Sequence, residues 1–378
     1  MMIPTDRHLS SDELAELAYG VFDDAEATAV RAHMAGCASC MQLFGRLSGL
    51  PEMLASIQYP PIPDRTSERI EAALVTAARQ RADLASGRPP AWRSEGVVDS
   101  AASLNPHDHL CWAYRSKADW ADRAVEFAAD GIVAGQRVEL VGDASTASLR
   151  SELAELISSM PVSRAAHAGQ VRVHDLADFH ASTSDGIVDI HATVAARRAL
   201  IDDALRAGYT GVRTVTDSTP GARTEVQRDA VARLEYLGDH KLMSLPICVM
   251  CSYDTDAIGP VAVAELACMH PFTSPGAAPF RLYGEHDADF GLAGSIDDHT
   301  AAGLFRTTLE RTDPPTGNEL IVDARRAELI GDRALAELNA HAARMGRTSI
   351  LRMTESQSPS PEALSSLTNL RVAIGSSS

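Results

Sequence analysis

The sequence predicts a multidomain chain. An all-α module carrying histidines and cysteines comes first, then an α/β domain on a parallel sheet, then a second α/β domain. Three observations point there. Apolar residues recur at helical spacing around a His/Cys run near the start. From about residue 106, short β-type runs alternate with helix-length amphipathic segments, the order that builds a parallel sheet. After a Pro/Gly-rich break at Thr273–Pro279, the same alternation starts again. The expected boundaries are 1–85, a linker at 86–105, 106–272 and 280–375.

A chain of 378 residues with 45% hydrophobic content can bury two or three cores. Its net charge of -17 argues against broad binding to a nucleic-acid backbone and suits a basic protein partner. The six cysteines are scattered apart from two C-x2-C pairs, which implies no disulfide framework and fits a cytoplasmic protein. Residues 1–7 show no apolar signal-peptide core, and no run reaches the length of a membrane helix.

In the first module, Ser10-Ser11-Asp12-Glu13 reads as a helix cap followed by acidic first-turn residues. Asp23 and Asp24 open a second helix that carries His33. The cysteines begin a third, with Leu43, Phe44, Leu47 and Leu50 along one side. His33 and Cys37 are four apart and would share a helix face, with Cys40 a turn further on. Zinc takes four nitrogen or sulfur ligands in a tetrahedron, and His8 upstream is the natural fourth. Two small core cysteines and a surface histidine are the plainer alternative.

The spacing H-x24-H-x3-C-x2-C, flanked by "HLSSDELAELAYG" and "CMQLFGRLSGL", resembles the zinc-binding anti-sigma domain. The resemblance implies zinc ligation by His8, His33, Cys37 and Cys40, and sequestration of an extracytoplasmic-function sigma factor. It leaves open whether zinc is a structural clip or a redox switch. Tyr59-Pro60-Pro61-Ile62-Pro63 reads as an extended strap. A fourth helix with Ile70, Ala73, Leu74 and Ala77 on its stripe would, by the same resemblance, help clamp the sigma factor.

In the middle segment, strands are expected at His109–Tyr114, Arg137–Gly142, Val171–Val173, Val212–Val215 and Leu245–Tyr253. Helices are expected at Trp120–Ala134, Val194–Ala207 and around Arg228–Leu237. The pieces "HDHLCWAY", "FAADGIVAGQRVELVGD", "AGYTGVRTVTD", "LEYL", "CSYD" and "MHP" resemble the MEDS sensory domain. That resemblance implies a RecA-like sheet and a small ligand, such as a hydrocarbon derivative. "VGDASTASLR" stands where a related ATPase would hold its phosphate loop. It lacks G-x4-G-K-[ST], which argues against nucleotide hydrolysis. Ligands in open parallel sheets sit beyond the carboxyl ends of strands. His109, Cys111, Arg213, Glu235, Cys251 and His270 lie in or near the quoted motifs and could converge there, with His109, Arg213 and Glu235 as the polar core of a sensory site. Cys248 and Cys251 are three apart on a strand, so they face opposite ways and make a poor metal pair.

The last segment begins with a strand at Phe280–Glu285. "LAGSIDDHTAAGLFRTTLER" and "ELIVDARRAELIGDRALAELNAHAARMG" resemble a STAS domain. The family's switch is an aspartate-serine pair at the start of a helix; here Gly331 and Asp332 fill those places. Asp332 cannot take phosphate from a serine kinase, but it sets a fixed negative charge at a helix N-terminus. The chain is thus expected to be a non-enzymatic cytoplasmic anti-sigma factor with zinc as cofactor and a sigma factor as partner. It would bind a small ligand, contact neither nucleic acid nor membrane, and could self-associate. A ligand-sensing scaffold whose zinc module grips another protein is the alternative.

Overall fold

In the computed structural model, the structure describes residues 8–10, 14, 17, 24–48, 93–142, 169–183, 185–242, 244–314 and 317–375. The chain divides into two units, Met1–Thr76 and Ala77–Ser378. The proline strap, the fourth helix and most of the "VGDASTASLR" stretch lie outside the described residues.

In the first unit, α1 spans Asp24–Gly36 and α2 spans Ala38–Ser48. Leu9, Leu14, Leu17, Ala27, Val30, Met34 and Cys40 form its buried apolar cluster. The chain breaks between the helices at Cys37, so His33 and Cys37 do not share one continuous helix as their spacing suggested.

The second unit holds two sheets. Its strands in the first are β1 (Gly96–Val97), β2 (His109–Tyr114), β3 (Arg137–Gly142), β4 (Val171–Asp175), β5 (Val212–Asp217), β6 (Ile247–Asp254) and β7 (Phe272–Thr273). They lie in the order β1-β7-β2-β6-β5-β3-β4, and every pairing is parallel. The crossovers carry α3 (Lys117–Val133), α4 (Ile190–Arg206), α5 (Glu225–Lys241) and α6 (Pro260–Ala267). Local chemistry sets the helix starts. Ser116 accepts from Asp119 N ahead of α3, Asp189 accepts from Ala192 N ahead of α4, and Thr224 with Gln227 forms a capping box on α5.

The strands' two-residue period sorts the side chains between two environments. Leu110, Trp112, Val215, Cys248 and Met250 join Phe127 of α3 in one apolar cluster. On the other face, Cys111, Cys251 and Tyr253 lie with Val231, Ala232 and Tyr236 of α5.

That second cluster continues into the other sheet. Here β8 (Phe280–Tyr283), β9 (Phe290–Ile296), β10 (Glu319–Ile330), β11 (Thr348–Met353) and β12 (Leu370–Ile374) lie in the order β12-β11-β10-β9-β8. Only β8 and β9 pair antiparallel; the others are parallel. The helices α7 (Ala301–Glu310) and α8 (Asp332–Arg344) cover it. Leu266, Ala267 and Met269 of the first sheet's layer share a core with Phe280, Phe290, Phe305 and Leu335. Around that core Arg311 reaches Glu265 at 3.0 Å, and Leu282 N donates to Cys268 O at 2.7 Å.

Two expectations need correction. Within the expected linker 86–105, the described part from residue 93 is no plain linker: Gly96–Val97 pairs with β7, and Arg93 is buried against Asp239. A two-residue strand inside a polar stretch leaves no periodic signal. Second, Phe272 and Thr273 belong to the first sheet, so the break after them begins later than the Pro/Gly composition indicated.

Candidate functional site

A polar group is buried on the second face of the large sheet. β2 contributes His109, β6 contributes Cys251 and Tyr253, α5 contributes Glu235 and Asp239, and His270 precedes β7. Glu235 and Asp239 are one turn apart, so they point from the same side of α5 into the protein. A parallel sheet covered on both faces normally buries aliphatic residues. Charged groups there need partners, and these have them.

His109 Nδ1 lies 3.1 Å from Asp239 Oδ1, and its Nε2 lies 3.3 Å from Glu235 Oε2. The Cys251 thiol donates to Glu235 Oε2 at 3.4 Å and sits 3.6 Å from His109 Nε2. Tyr253 donates its hydroxyl to Glu235 Oε1 at 2.6 Å. His270 Nδ1 donates to Leu266 O at 3.0 Å, which leaves Nε2 as a lone pair, 3.7 Å from Glu235 Oε2 and without a hydrogen-bond partner. Asp239 also binds Arg93 and accepts from Gly284 N at 2.5 Å.

Burial opposes charge on all these groups, and the neighbours decide the outcome. Burial pushes the Glu235 carboxyl up, yet the His270 and His109 rings and the Tyr253 hydroxyl bring it down to about 2. Burial likewise pushes the Asp239 carboxyl up, yet Arg93 and His109 together hold it well below the usual carboxylate range. Burial works against the His109 cation, but its hydrogen bonds to Asp239 and Glu235 raise its pKa. His270 is kept neutral, down at about 3, by burial and then by His109. The Cys251 thiol is pushed up by burial and by Glu235.

A cavity of about 60 Å³ opens beside the cluster, with His109, Glu235 and Cys251 in its wall. Arg197, His180 and Thr214 face them across it. Arg197 Nη2 and Thr214 Oγ1 are buried without partners, and the Arg197 guanidinium carbon stands 3.2 Å from the Phe179 ring centroid. A second, wider cleft of about 700 Å³ lies at the carboxyl ends of β3 and β4, lined by Gly142, Asp175, Gly221 and Gln227. His180 lines both spaces.

The structure therefore brings together His109, Glu235, Cys251 and His270, and it leaves Arg213 out. Arg213 lies on the opposite face of β5, donating to Gln136 Oε1, Phe127 O and Leu104 O over the Phe127 ring. Strand alternation is the reason: Thr214 and Thr216 line the cavity, so Arg213 cannot. Gly131 makes room for it, since a Cβ there would lie 2.7 Å from Arg213 Cδ. Cys111 is buried in the same layer and makes no polar contact with the cluster, and Cys248 belongs to the other face. The cluster itself lies on the sheet's face under α5, whereas the carboxyl ends frame the wider cleft. Sequence reasoning missed Asp239, Arg93, Tyr253, Arg197 and Thr214. The Glu235-x3-Asp239 spacing on a helix flanked by apolar residues was a usable signal for the first of them.

In the first unit, His8 Nδ1 lies 3.3 Å from Cys37 Sγ and 3.7 Å from Cys40 Sγ, and Leu9 N donates to Cys40 Sγ at 3.3 Å. These three ligand atoms lie within 4.8 Å of one another. His33 is buried with both ring nitrogens lacking hydrogen-bond partners. Hydrogen bonds from the Cys40 backbone and side chain, and then from His8, lower the Cys37 thiol to about 6. A thiolate-prone donor set with an orphaned histidine fits zinc. All six cysteines are free thiols. Among the described residues, no helix is long and apolar enough to cross a membrane.

In the last sheet, Asp332 opens α8 behind Gly331. Asp298 Oδ1 accepts from Arg333 N at 2.9 Å, so a carboxylate from the loop between β9 and α7 already caps this helix. A Cβ at Gly331 would lie 2.1 Å from the same oxygen.

The parallel sheet with one polar, cavity-bearing face belongs to the α/β class, in which small-molecule pockets recur. Residues 108–271 match the family model of MEDS, the MEthanogen/methylotroph, DcmR Sensory domain, and this part of the chain is a MEDS domain. A sensory domain points to a ligand-sensing, regulatory role. A comparison with curated proteins returns no match.

Proposed function

We propose that this chain is a non-catalytic regulator that senses a small molecule and controls an extracytoplasmic-function sigma factor. The observation that carries the sensory part is the cavity of about 60 Å³ inside the MEDS domain, with Arg197 and Thr214 presenting partnerless donors to it. At 10–15 Å³ for each water position, that space holds roughly four to six heavy atoms. The ligand is accordingly a short hydrocarbon derivative bearing an oxygen acceptor for Arg197. The wide cleft shared through His180 is its route from solvent.

The sigma-binding part rests on the convergence of His8, Cys37 and Cys40, with His33 beside them, and on the resemblance of their spacing to the zinc-binding anti-sigma domain. In that module zinc, when bound, supplies folding energy: its four ligands hold the first helices together, and His8 ties the leading segment to Cys37 and Cys40. The last sheet serves as a STAS-like docking or self-association unit with a permanent carboxylate cap in place of a phosphate switch. The output follows from a population shift: a ligand that favours the released state lowers sigma affinity by its differential binding energy.

The test is a pull-down from the native cell with and without chelator, alongside thermal-shift screening of one- to three-carbon carboxylates, alcohols and carbonyl compounds. Co-purification of a sigma factor, lost on chelation, and a shift by one compound class support the reading. Capture of some other protein by the first unit would favour a signalling scaffold instead.

A further inference from the structure

The Asp239-backed cluster has a geometry that sensing alone does not require. Four different side chains, His109, Glu235, Cys251 and His270, each offer one ligand atom, and those atoms lie within 4.8 Å of one another. A tetrahedral ion with bonds of roughly 2.0–2.3 Å has ligand-to-ligand edges of about 3.3–3.8 Å. Four of the six edges measure 3.3 Å from His109 Nε2 to Glu235 Oε2, 3.4 Å from Cys251 Sγ to Glu235 Oε2, 3.6 Å from Cys251 Sγ to His109 Nε2 and 3.7 Å from His270 Nε2 to Glu235 Oε2. All of them fall in that window.

The surroundings match as well. Metal-bound histidines characteristically donate their other ring nitrogen to a carboxylate or a carbonyl. His109 does so to Asp239, and His270 does so to Leu266 O. The non-ligating oxygen of Glu235 is fixed by Tyr253, and Asp239 by Arg93. His270 is 0% exposed, and its free lone pair has no hydrogen-bond partner. A buried nitrogen lone pair left empty is costly, and a cation would satisfy it.

We infer that His109 Nε2, Glu235 Oε2, Cys251 Sγ and His270 Nε2 form a second transition-metal site, for a zinc-type divalent cation. Loading sends the Cys251 thiol proton and the Nε2 proton of His109 to solvent. The resulting thiolate and the Glu235 carboxylate balance the two positive charges. Four protein ligands close the coordination sphere, so the ion organises the sheet face and α5 and does not itself activate water. The assignment stands on side-chain geometry alone and holds whether or not the cavity beside it senses a ligand.

The experiment uses the full chain carrying Cys37→Ser and Cys40→Ser, which removes the thiolates of the first unit. After loading with zinc or cobalt(II) and dialysis, one metal ion per chain is expected to remain. The cobalt form should show a thiolate-to-metal charge-transfer band that Cys251→Ser abolishes. Tyr253→Phe keeps every ligand and should weaken metal binding by about 10–100-fold while the protein stays folded. A chain with its native unfolding transition that retains no metal would overturn the assignment. So would unchanged metal retention when Cys251→Ser and His270→Gln are added together.

Discussion

Asp239 holds His109 through its Oδ1 at 3.1 Å, while its other oxygen accepts from Gly284 N at the exit of β8. One carboxylate thus touches the polar cluster and the second sheet at once, with Arg93 balancing its charge. A displacement of His109 that carries Asp239 with it would move a hydrogen bond of the second sheet. This gives the MEDS domain a physical connection to the second sheet.

Asp239→Asn should be costly. It leaves the Arg93 guanidinium buried and uncompensated, a change worth about 3–5 kcal/mol in buried ion pairs. Denaturant unfolding should show the loss. Arg93→Met should cost a similar amount, and the two losses together should fall short of their sum.

The two buried arginines of the large domain should behave differently. Arg213→Met strips donors from Phe127 O, Leu104 O and Gln136 and should destabilise by about 1–3 kcal/mol. It should leave the thermal shift caused by the small ligand intact. Arg197→Met should abolish that shift at much smaller cost in stability, since its Nη2 gives up no hydrogen bond.

His341 predicts an acid limit for the second sheet. Burial, then the charge of Arg344, hold it down to about 4 in the fold, against 6.5 as its ordinary value. Between those values the unfolded chain takes up a proton that the folded chain refuses. Stability should therefore be full above pH 6.5 and fall as the pH drops toward 4, by up to about 2–3 kcal/mol. His341→Gln should flatten that part of the profile of melting temperature against pH.

A side chain in the place of Gly331, next to the family's serine position at Asp332, should be poorly tolerated. In Gly331→Ser the new Cβ meets Asp298 Oδ1, and the overpacking should cost about 1–3 kcal/mol. Asp298→Ala alone should cost about 1 kcal/mol through the lost cap. In the double variant the serine penalty should shrink, a coupling that a thermal-unfolding cycle reads directly.

Removing zinc from the first unit should release the sigma factor. Cys40→Ser, which removes one thiolate of the first unit, should abolish sigma capture while the unfolding transition of the two sheets is unchanged. Sigma capture that persists after complete zinc loss would count against the proposed clamp.

Much of the large sheet was legible because its strands are long and apolar and its helices carry plain caps. His109, Glu235, Cys251 and His270 could be picked out because short motifs flag them, though their meeting depends on pairings between distant strands. Arg213 was misassigned because a one-residue step along β5 changes the face, and composition does not report which face is polar. Asp239 was overlooked because an aspartate near the end of a helix looks like an exposed one. Arg93 and β1 were hidden in a stretch whose polarity resembles a linker, and the partners that bury them lie far along the chain.

The shared hydrophobic layer beneath β2, β6 and α5 bears on how this protein can be taken apart. The MEDS match stops at 271, yet a fragment cut there would lose β7 and Gly284 and would bare Leu266 and Met269 to water. Such a piece should be more prone to aggregate than the intact second unit. A stable fragment therefore has to keep both sheets on one chain.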